Sequence, residues 1–358
     1  MYGALRPLLF RLAPDTAHAL AFAALGPIEH VGLLGRLARA VFAAPRDARV
    51  AVRAMGLSFP SPLGVAGGFD KNAVRPRALA ALGFGHLELG TVTAQAQASN
   101  PAPNLFRLPA DRALVNRLGF PNEGAMAIAA RVRRVRPRVG VPVGISIGKS
   151  RAVPAADLGA VVADYLASLE AVREVADFVV VNVSSPNTAG LRAMQGAEHA
   201  RALLAALASR TGGKPLLVKV APDLDDAGLE ALLAVVAEVG LAGVVATNTT
   251  LSRAGLATSV AQVEAIGAGG LSGPPLRARA LEVVRRARAR LGPDAVVVGV
   301  GGVERAEHAM ALVRAGADLV QMYTGLVYEG PGAPGRIARA LAAMVEREGA
   351  KTLRELRG

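Results

Sequence analysis

Residues 216–250 read LLVKVAPDLDDAGLEALLAVVAEVGLAGVVATNTT. Two short apolar runs, Leu216–Val220 and Gly243–Thr247, flank an amphipathic helical stretch, Asp226–Val239. Neither run alternates cleanly between polar and apolar residues. Each therefore reads as a strand buried on both faces, as in a parallel sheet covered by helices. Polar groups gather late in each run or just past it: Lys219 and Asp223, then Thr247, Asn248, Thr249 and Thr250.

The same unit recurs along the chain. Further candidate strands are Leu63–Gly67, His86–Val92, Val143–Ile147, Phe178–Val183, Ala295–Val300 and Leu319–Met322. Helical stretches such as Leu158–Val172, Leu276–Leu291 and Glu304–Ala315 lie between them. Eight strand–helix repeats predict an α/β fold, a (β/α)8 TIM barrel. A doubly wound open sheet is the alternative, but no GxGxxG follows the first strand to support a dinucleotide-binding version. Two insertions, Val50–Phe59 and Leu105–Phe120, read as hairpins, the second turning at Pro109-Ala110-Asp111.

Ahead of the barrel, residues 1–45 read as an N-terminal helical extension, leaving 46–358 as the barrel domain. Leu5, Leu8, Leu9 and Leu12 fall at helical spacing, and Pro14-Asp15-Thr16 suggests a restart capped by Asp or Thr. A second helix runs through Ala19, Leu20, Phe22 and Ala23, and a third from Ile28 through Val31 to Phe42. These helices are apolar on more than one face, with Arg6, Arg11, Arg36 and Arg39 among the apolar residues. A cap packed on the barrel and a hairpin dipping into a bilayer surface explain this pattern equally well.

Composition narrows the chemistry. The chain of 358 residues contains no Cys, so disulfides, thiolate metal sites, iron–sulfur clusters and a Cys base are excluded within it. His18, His30, His86, His199 and His308 are scattered, and none forms a ligand-type pair, so no metal is expected. The net charge of +13 fits solvated Arg-rich helix faces or attraction to an anionic membrane surface. Nucleic acid is not an expected partner, because Arg131, Arg133, Arg134, Arg136 and Arg138 lack interleaved aromatics. No apolar run reaches the ~18 residues needed to span a bilayer, and no cleavable leader pattern opens the chain. The expectation is a protein made and kept in the cytoplasm.

In a barrel of this kind the working residues lie just past the C-terminal ends of the strands. Gly67-Gly68-Phe69-Asp70-Lys71 follows the first, with Gly residues that allow close backbone approach and a cation. Gly90-Thr91 closes the second, and Asn182-Val183-Ser184-Ser185-Pro186-Asn187 follows the fourth. Lys219 sits at the mouth of the fifth, where a cation needs an anion or an electron-rich ring to offset its burial. Gly299-Val300-Gly301-Gly302 and Tyr323-Thr324-Gly325 follow the seventh and eighth, the usual place for a phosphate cradle. A loop at Gly269–Gly273 is expected to close over that cradle. The set carries a phosphate cradle and many neutral hydrogen-bonding groups but no paired carboxylates. It therefore favours redox chemistry by a phosphate-bearing cofactor over hydrolysis.

The order and spacing of these segments resemble the class 2, quinone-dependent dihydroorotate dehydrogenases. The matching stretches are GGFDKNA (67–73), GFGHLELGTVT (83–93), NRLGFPN (116–122), NVSSPNTAGLR (182–192), VKVAPDL (218–224), ATNTT (246–250), GGLSGPPL (269–276), GVGGV (299–303) and QMYTGLVYEGP (321–331). The resemblance implies oxidation of dihydroorotate to orotate with FMN as cofactor, in de novo pyrimidine (UMP) biosynthesis. It makes Ser185 the base, where the soluble class uses Cys. It places Asn116, Asn182, Asn187, Asn248 and Thr249 on the pyrimidine and its carboxylate, with Lys71 adding charge. Arg117, Leu118, Gly119 and Phe120 belong to the same substrate segment. Lys219 is expected beside the flavin. Gly67, Gly68, Phe69, Asp70, Lys71, Asn182, Thr91, Thr247 and Gly273 are expected to contact FMN, with Gly302, Tyr323 and Thr324 around its phosphate. Ser146 stands where family members often have Asn, a shorter donor for the same contact. Electrons are expected to reach a membrane quinone through residues 1–45, placing the protein peripherally on the cytoplasmic face of the cell membrane. Another FMN barrel enzyme, or a non-redox barrel acting on a phosphorylated metabolite, shares the cradle; the former lacks reason for Asn116 with SSPN and TNTT, the latter for Lys219.

Overall fold

The structure, a computed structural model, describes residues 2–358. Its strands are β1 Val52–Ala54, β2 Leu57–Phe59, β3 Leu63–Val65, β4 His86–Val92, β5 Leu105–Leu108, β6 Ala113–Asn116, β7 Val143–Ile147, β8 Phe178–Asn182, β9 Leu216–Val220, β10 Gly243–Ala246, β11 Gly270–Ser272, β12 Val296–Val300 and β13 Leu319–Met322. Strands β3, β4, β7, β8, β9, β10, β12 and β13 close in that order into a barrel of parallel pairs. The eight repeats thus form a (β/α)8 barrel, and the open-sheet alternative falls away.

The helices are α1 Tyr2–Leu9, α2 Pro14–Ala24, α3 Gly26–His30, α4 Gly32–Phe42, α5 Pro76–Ala81, α6 Ala125–Val135, α7 Leu158–Val172, α8 Ala197–Ala208, α9 Asp226–Val239, α10 Val260–Ile266, α11 Arg277–Leu291, α12 Ala306–Arg314, α13 Thr324–Glu329 and α14 Ala333–Arg347. Local caps agree with their starts: the Asp157 side chain accepts from Ala160 N, and the Asp225 side chain accepts from Gly228 N. Gly240 ends α9 in the left-handed conformation at φ 72°.

Period-two alternation divides each barrel strand between two layers. Leu87, Leu89, Val179, Val181, Val218 and Val220 face outward into the main core against the helices. Phe178, Val180, Leu217, Val245, Val296, Val298 and Leu319 fill the inside of the barrel. Hairpin β1–β2 plugs the N-terminal end, where Phe59 meets His86 edge-on at 5.6 Å. His86 is fully buried with no partner for either ring nitrogen. Burial lowers its pKa to about 3, so the ring is neutral there. Toward the C-terminal end the same inward face turns polar: Glu88, Asn182, Lys219 and Gln321.

Both predicted hairpins form. The second gains a strand that the sequence reading took for a closing loop, because β11 pairs antiparallel with β6 from Gly270↔Asn116 to Ser272↔Leu114. Gly270–Ser272 therefore serves as a fixed wall. The expected third N-terminal helix breaks at Val31, and the pair Pro14–His30 and Gly32–Phe42 bends by 113°. The expected side-chain cap at Asp15 or Thr16 is absent, since Pro14 starts α2 after Ala13. Among the described residues no single helix is long and apolar enough to cross a membrane.

Candidate active site

The C-terminal mouth of the barrel, walled by β5, β6 and β11, encloses a cavity of about 980 Å³ with its opening included. Gly67, Gly68, Lys71, Thr91, Asn116, Leu118, Gly119, Phe120, Asn182, Ser185, Asn187, Lys219, Thr247, Asn248, Thr249, Gly273, Gly302, Tyr323 and Thr324 all line it. Residues far apart in sequence thus meet in one place because each lies at or just past the C-terminal end of a barrel strand, or on the three-stranded sheet above.

The amides form a network in two separate parts, one around Asn182 and Asn248 and the other around Asn116 and Asn187. Asn182 Nδ2 donates to Thr91 Oγ1 at 2.8 Å, and Asn248 Nδ2 donates to Asn182 Oδ1 at 3.3 Å and Ser184 Oγ at 3.0 Å. Asn187 Nδ2 donates to Asn116 Oδ1 at 3.1 Å, and Asn116 Nδ2 donates to Gly270 O at 3.3 Å. Ser185 Oγ accepts from Asn187 N at 3.2 Å, which leaves its own proton free to point elsewhere. Each amide is thereby oriented before any ligand arrives, which lowers the ordering cost of binding.

Two lysines face this network in different settings. Lys71 Nζ donates to Gly68 O at 2.6 Å. Burial lowers its pKa to about 8, with neighbouring Asp70 pulling the other way. Lys219 lies on the cavity floor, its Nζ 3.2 Å from Glu88 Oε1. The second carboxylate oxygen of Glu88 accepts from Gln321 Nε2 at 2.9 Å. The charge of the buried lysine is therefore met by an equally buried carboxylate, itself held by a neutral amide. Glu88 and Gln321 were missed in the sequence. The signal was present, because His86 and Glu88 occupy alternate positions of an otherwise apolar strand, the face that Lys219 also uses.

Four expected contacts are not brought to the cavity. Arg117 follows Asn116 and turns to the opposite side of the extended chain. Its Nε donates to Pro103 O at 3.0 Å and its Nη1 to Ile266 O at 2.7 Å. Asp70 accepts from Val74 N at 2.9 Å and Arg75 N at 2.8 Å, so it shapes the loop that carries Lys71. Phe69 turns to the other side of that loop and packs with His18, Phe22 and Tyr323. Ser146 is fully buried behind Thr91, with its Oγ 2.9 Å from Thr91 Oγ1, and acts only through that residue.

A second cavity of about 1300 Å³ lies between the N-terminal helices and the barrel. It is mainly apolar, with Phe10, His18, Ala21, Leu25, Phe69 and Leu326 in its walls. Leu105, Leu114 and Tyr323 line both cavities, so the two meet at these side chains. Burial, followed by the nearby Lys71 charge, lowers the pKa of His18 to about 4, which makes it a neutral wall residue. Among the described residues twelve large apolar side chains stand exposed, and nine of them lie between Leu5 and Val41, which concentrates unpaired apolar surface on these helices.

Residues 49–345 match the family model for dihydroorotate dehydrogenase. A protein of Thermobifida fusca named dihydroorotate dehydrogenase (quinone) is 51% identical, the match covering 98% of this chain and 94% of that protein. A Rhodococcus opacus protein of the same name is 49% identical over 98% of this chain and 96% of its own length. The crystal structure of DHODH from Eimeria tenella in complex with ferulenol superposes with a TM-score of 0.84 at 30% identity, covering 96% of this chain and 95% of the other.

Proposed function

Since the chain belongs to the dihydroorotate dehydrogenase family, we propose that it oxidises (S)-dihydroorotate to orotate in pyrimidine biosynthesis, holding FMN in the barrel mouth and passing the electrons to a membrane quinone. The observation that carries this reading is the convergence of Ser185, four Asn side chains, Lys71 and Lys219 on one cavity.

The residues present fit FMN. Gly302 and Val303 line the cavity with backbone amides that have no carbonyl partner among the described residues, a cradle suited to phosphate. Thr324 opens α13 beside them, and its Oγ1 donates to Ser272 Oγ at 2.8 Å. Gly302, at φ 68°, sits where a Cβ would be both strained and tight, 3.0 Å from Arg277 Cβ and 3.1 Å from Gly273 O. Gly67, Gly68, Thr91 and Thr247 border the inner part, above the Lys219–Glu88 pair. FMN, when bound, supplies the acceptor for the hydride that leaves C6 of the substrate.

The chain's own groups do the rest. Asn116, Asn182, Asn187, Asn248 and Thr249 offer the paired donors and acceptors that a dihydropyrimidine ring needs. Lys71 supplies a cation for the substrate carboxylate. Ser185 Oγ takes the C5 proton. An isolated hydroxyl is a weak base, so its proton must pass onward during the step, and water in the cavity mouth is the available carrier. Lys219, on the cavity floor, would favour negative charge on a flavin held there, while Glu88 limits the net charge buried at that floor.

The apolar cavity under α1–α4 supports the quinone reading, because it meets the polar cavity at Leu105, Leu114 and Tyr323. Exposed Leu8, Leu33 and Leu37, with Arg11, Arg36 and Arg39 nearby in the chain, suit a peripheral seat at the cytoplasmic face of the cell membrane. The test is anaerobic mixing with dihydroorotate while flavin absorbance is followed. The parent is expected to bleach, and Ser185→Ala to bleach at least a hundredfold more slowly. Equal rates would remove Ser185 from the role of base.

A further inference from the structure

We infer that Arg192 is a positioning residue for the reaction, a clamp that fixes the Ser185 loop to the two neighbouring strand–helix loops. This rests on the assignment of Ser185 as base.

Arg192 lies on the single turn Leu191–Gln195 that follows the Ser185 loop. Its guanidinium donates in three directions. Nε reaches Ser184 O at 3.1 Å, Nη1 reaches Asp223 Oδ2 at 2.7 Å, and Nη2 reaches Thr249 O at 3.1 Å. These three acceptors follow β8, β9 and β10, which are consecutive in the barrel. Asp223 is itself fixed on the far side, where its carboxylate also accepts from Thr250 Oγ1 and from Leu251 N at 3.0 Å. The pair is only about one-quarter exposed, so solvent competes weakly with it.

The geometry gives the clamp its consequence. The Ser184 carbonyl belongs to the peptide that leads into Ser185, so holding it sets the direction in which Ser185 leaves the strand end. Thr249 O belongs to a residue that also lines the cavity. Arg192 does not line the cavity, so it acts through these backbone groups and not on substrate. Proton abstraction depends steeply on the position of the base, whereas ground-state binding is shared among several amides. Loss of the clamp therefore falls on the chemical step more than on affinity. Three separate nitrogens of a rigid planar fork serve these three acceptors, whereas an ammonium concentrates its donors on one nitrogen and keeps the charge but not this spread.

The experiment compares Arg192→Lys, Ser185→Ala and the double variant, each purified with FMN. The limiting rate of anaerobic flavin bleaching and the dissociation constant for orotate are read separately. Arg192→Lys is expected to slow bleaching at least tenfold, to change orotate affinity less than threefold and to retain FMN. In the Ser185→Ala background the same change should slow bleaching less than twofold further, since the base it positions is gone. Asp223→Asn, which keeps Arg192 but loosens its anchor, is expected to slow bleaching threefold to tenfold. That variant decides the matter if Arg192→Lys does not fold. An unchanged rate, full additivity with Ser185→Ala, or orotate affinity that falls as much as the rate would overturn the inference. A Ser185→Ala rate equal to the parent's would instead remove the base assignment, and the clamp argument with it.

Discussion

Removing the charge of Glu88 offers the sharpest physical test of the barrel interior. Its side chain is 0% exposed and that of its partner Lys219 is 6% exposed. One carboxylate oxygen faces Lys219 Nζ and the other accepts from Gln321 Nε2. Glu88→Gln keeps the shape and can still accept from Gln321, but it strands the ammonium. Leaving one member of a buried ion pair uncompensated costs ~3–5 kcal/mol. A chain of 358 residues, at about 2.1 cal/mol/K of unfolding entropy per residue, loses roughly 1.3 °C of Tm for each kcal/mol. The single variant should therefore melt about 4–7 °C below the parent by thermal unfolding followed with circular dichroism. Lys219→Met alone strands the carboxylate and should cost a similar amount. The double variant, Glu88→Gln with Lys219→Met, buries no net charge and should recover at least ~2 kcal/mol relative to the sum of the singles. A drop of less than about 1 °C in Glu88→Gln, or singles that simply add, would refute the claim that the two charges depend on each other.

Two further outcomes follow from the same geometry. Lys71 has a pKa lowered to about 8 by burial, so its ammonium is charged below that value and neutral above it. The KM for dihydroorotate, an anion, is expected to rise as pH climbs through and beyond 8. Lys71→Met should raise KM at pH 7 and flatten its pH dependence, and a parent profile with no change above pH 8 would count against the assignment. On the outer face of α4, Leu33 and Leu37 are more than half exposed. Each is worth roughly 1.5–3 kcal/mol when buried in an apolar phase. Changing both to Glu should weaken sedimentation with anionic liposomes at least tenfold while anaerobic flavin bleaching stays at the parent rate. Undiminished sedimentation would take α4 out of the membrane contact.

The barrel and most of its mouth were legible in the sequence because both rest on short-range regularities. Strand ends fell within two residues of their predicted positions, and Leu158–Val172 and Asp226–Val239 form the helices that their patterns predict. Apolar periodicity is a local property, and so is the accumulation of Asn, Ser and Thr after each strand. The misses have a different origin. Gly270–Ser272 reads as a glycine-rich loop, yet it is a strand because β6, more than 150 residues earlier, offers it a free edge. Val31 breaks a continuous apolar pattern because α3 and α4 fold back over α5, and Glu29 Oε2 accepts from Ala78 N there at 2.9 Å.

By itself the sequence determined a parallel strand–helix barrel, glycine-rich loops after strands seven and eight, and a set of uncharged hydrogen-bonding residues to accompany Lys71, Ser185 and Lys219. The tertiary structure alone decided which of two adjacent residues enters the cavity, as with Asn116 against Arg117, since side-chain direction depends on the register of the hairpin. It also decided what each buried charge meets. Glu88 and Lys219 are 131 positions apart, and Arg192 reaches three loops at once. Such pairings arise only when the closing barrel brings strand ends together and excludes the water that would otherwise solvate them.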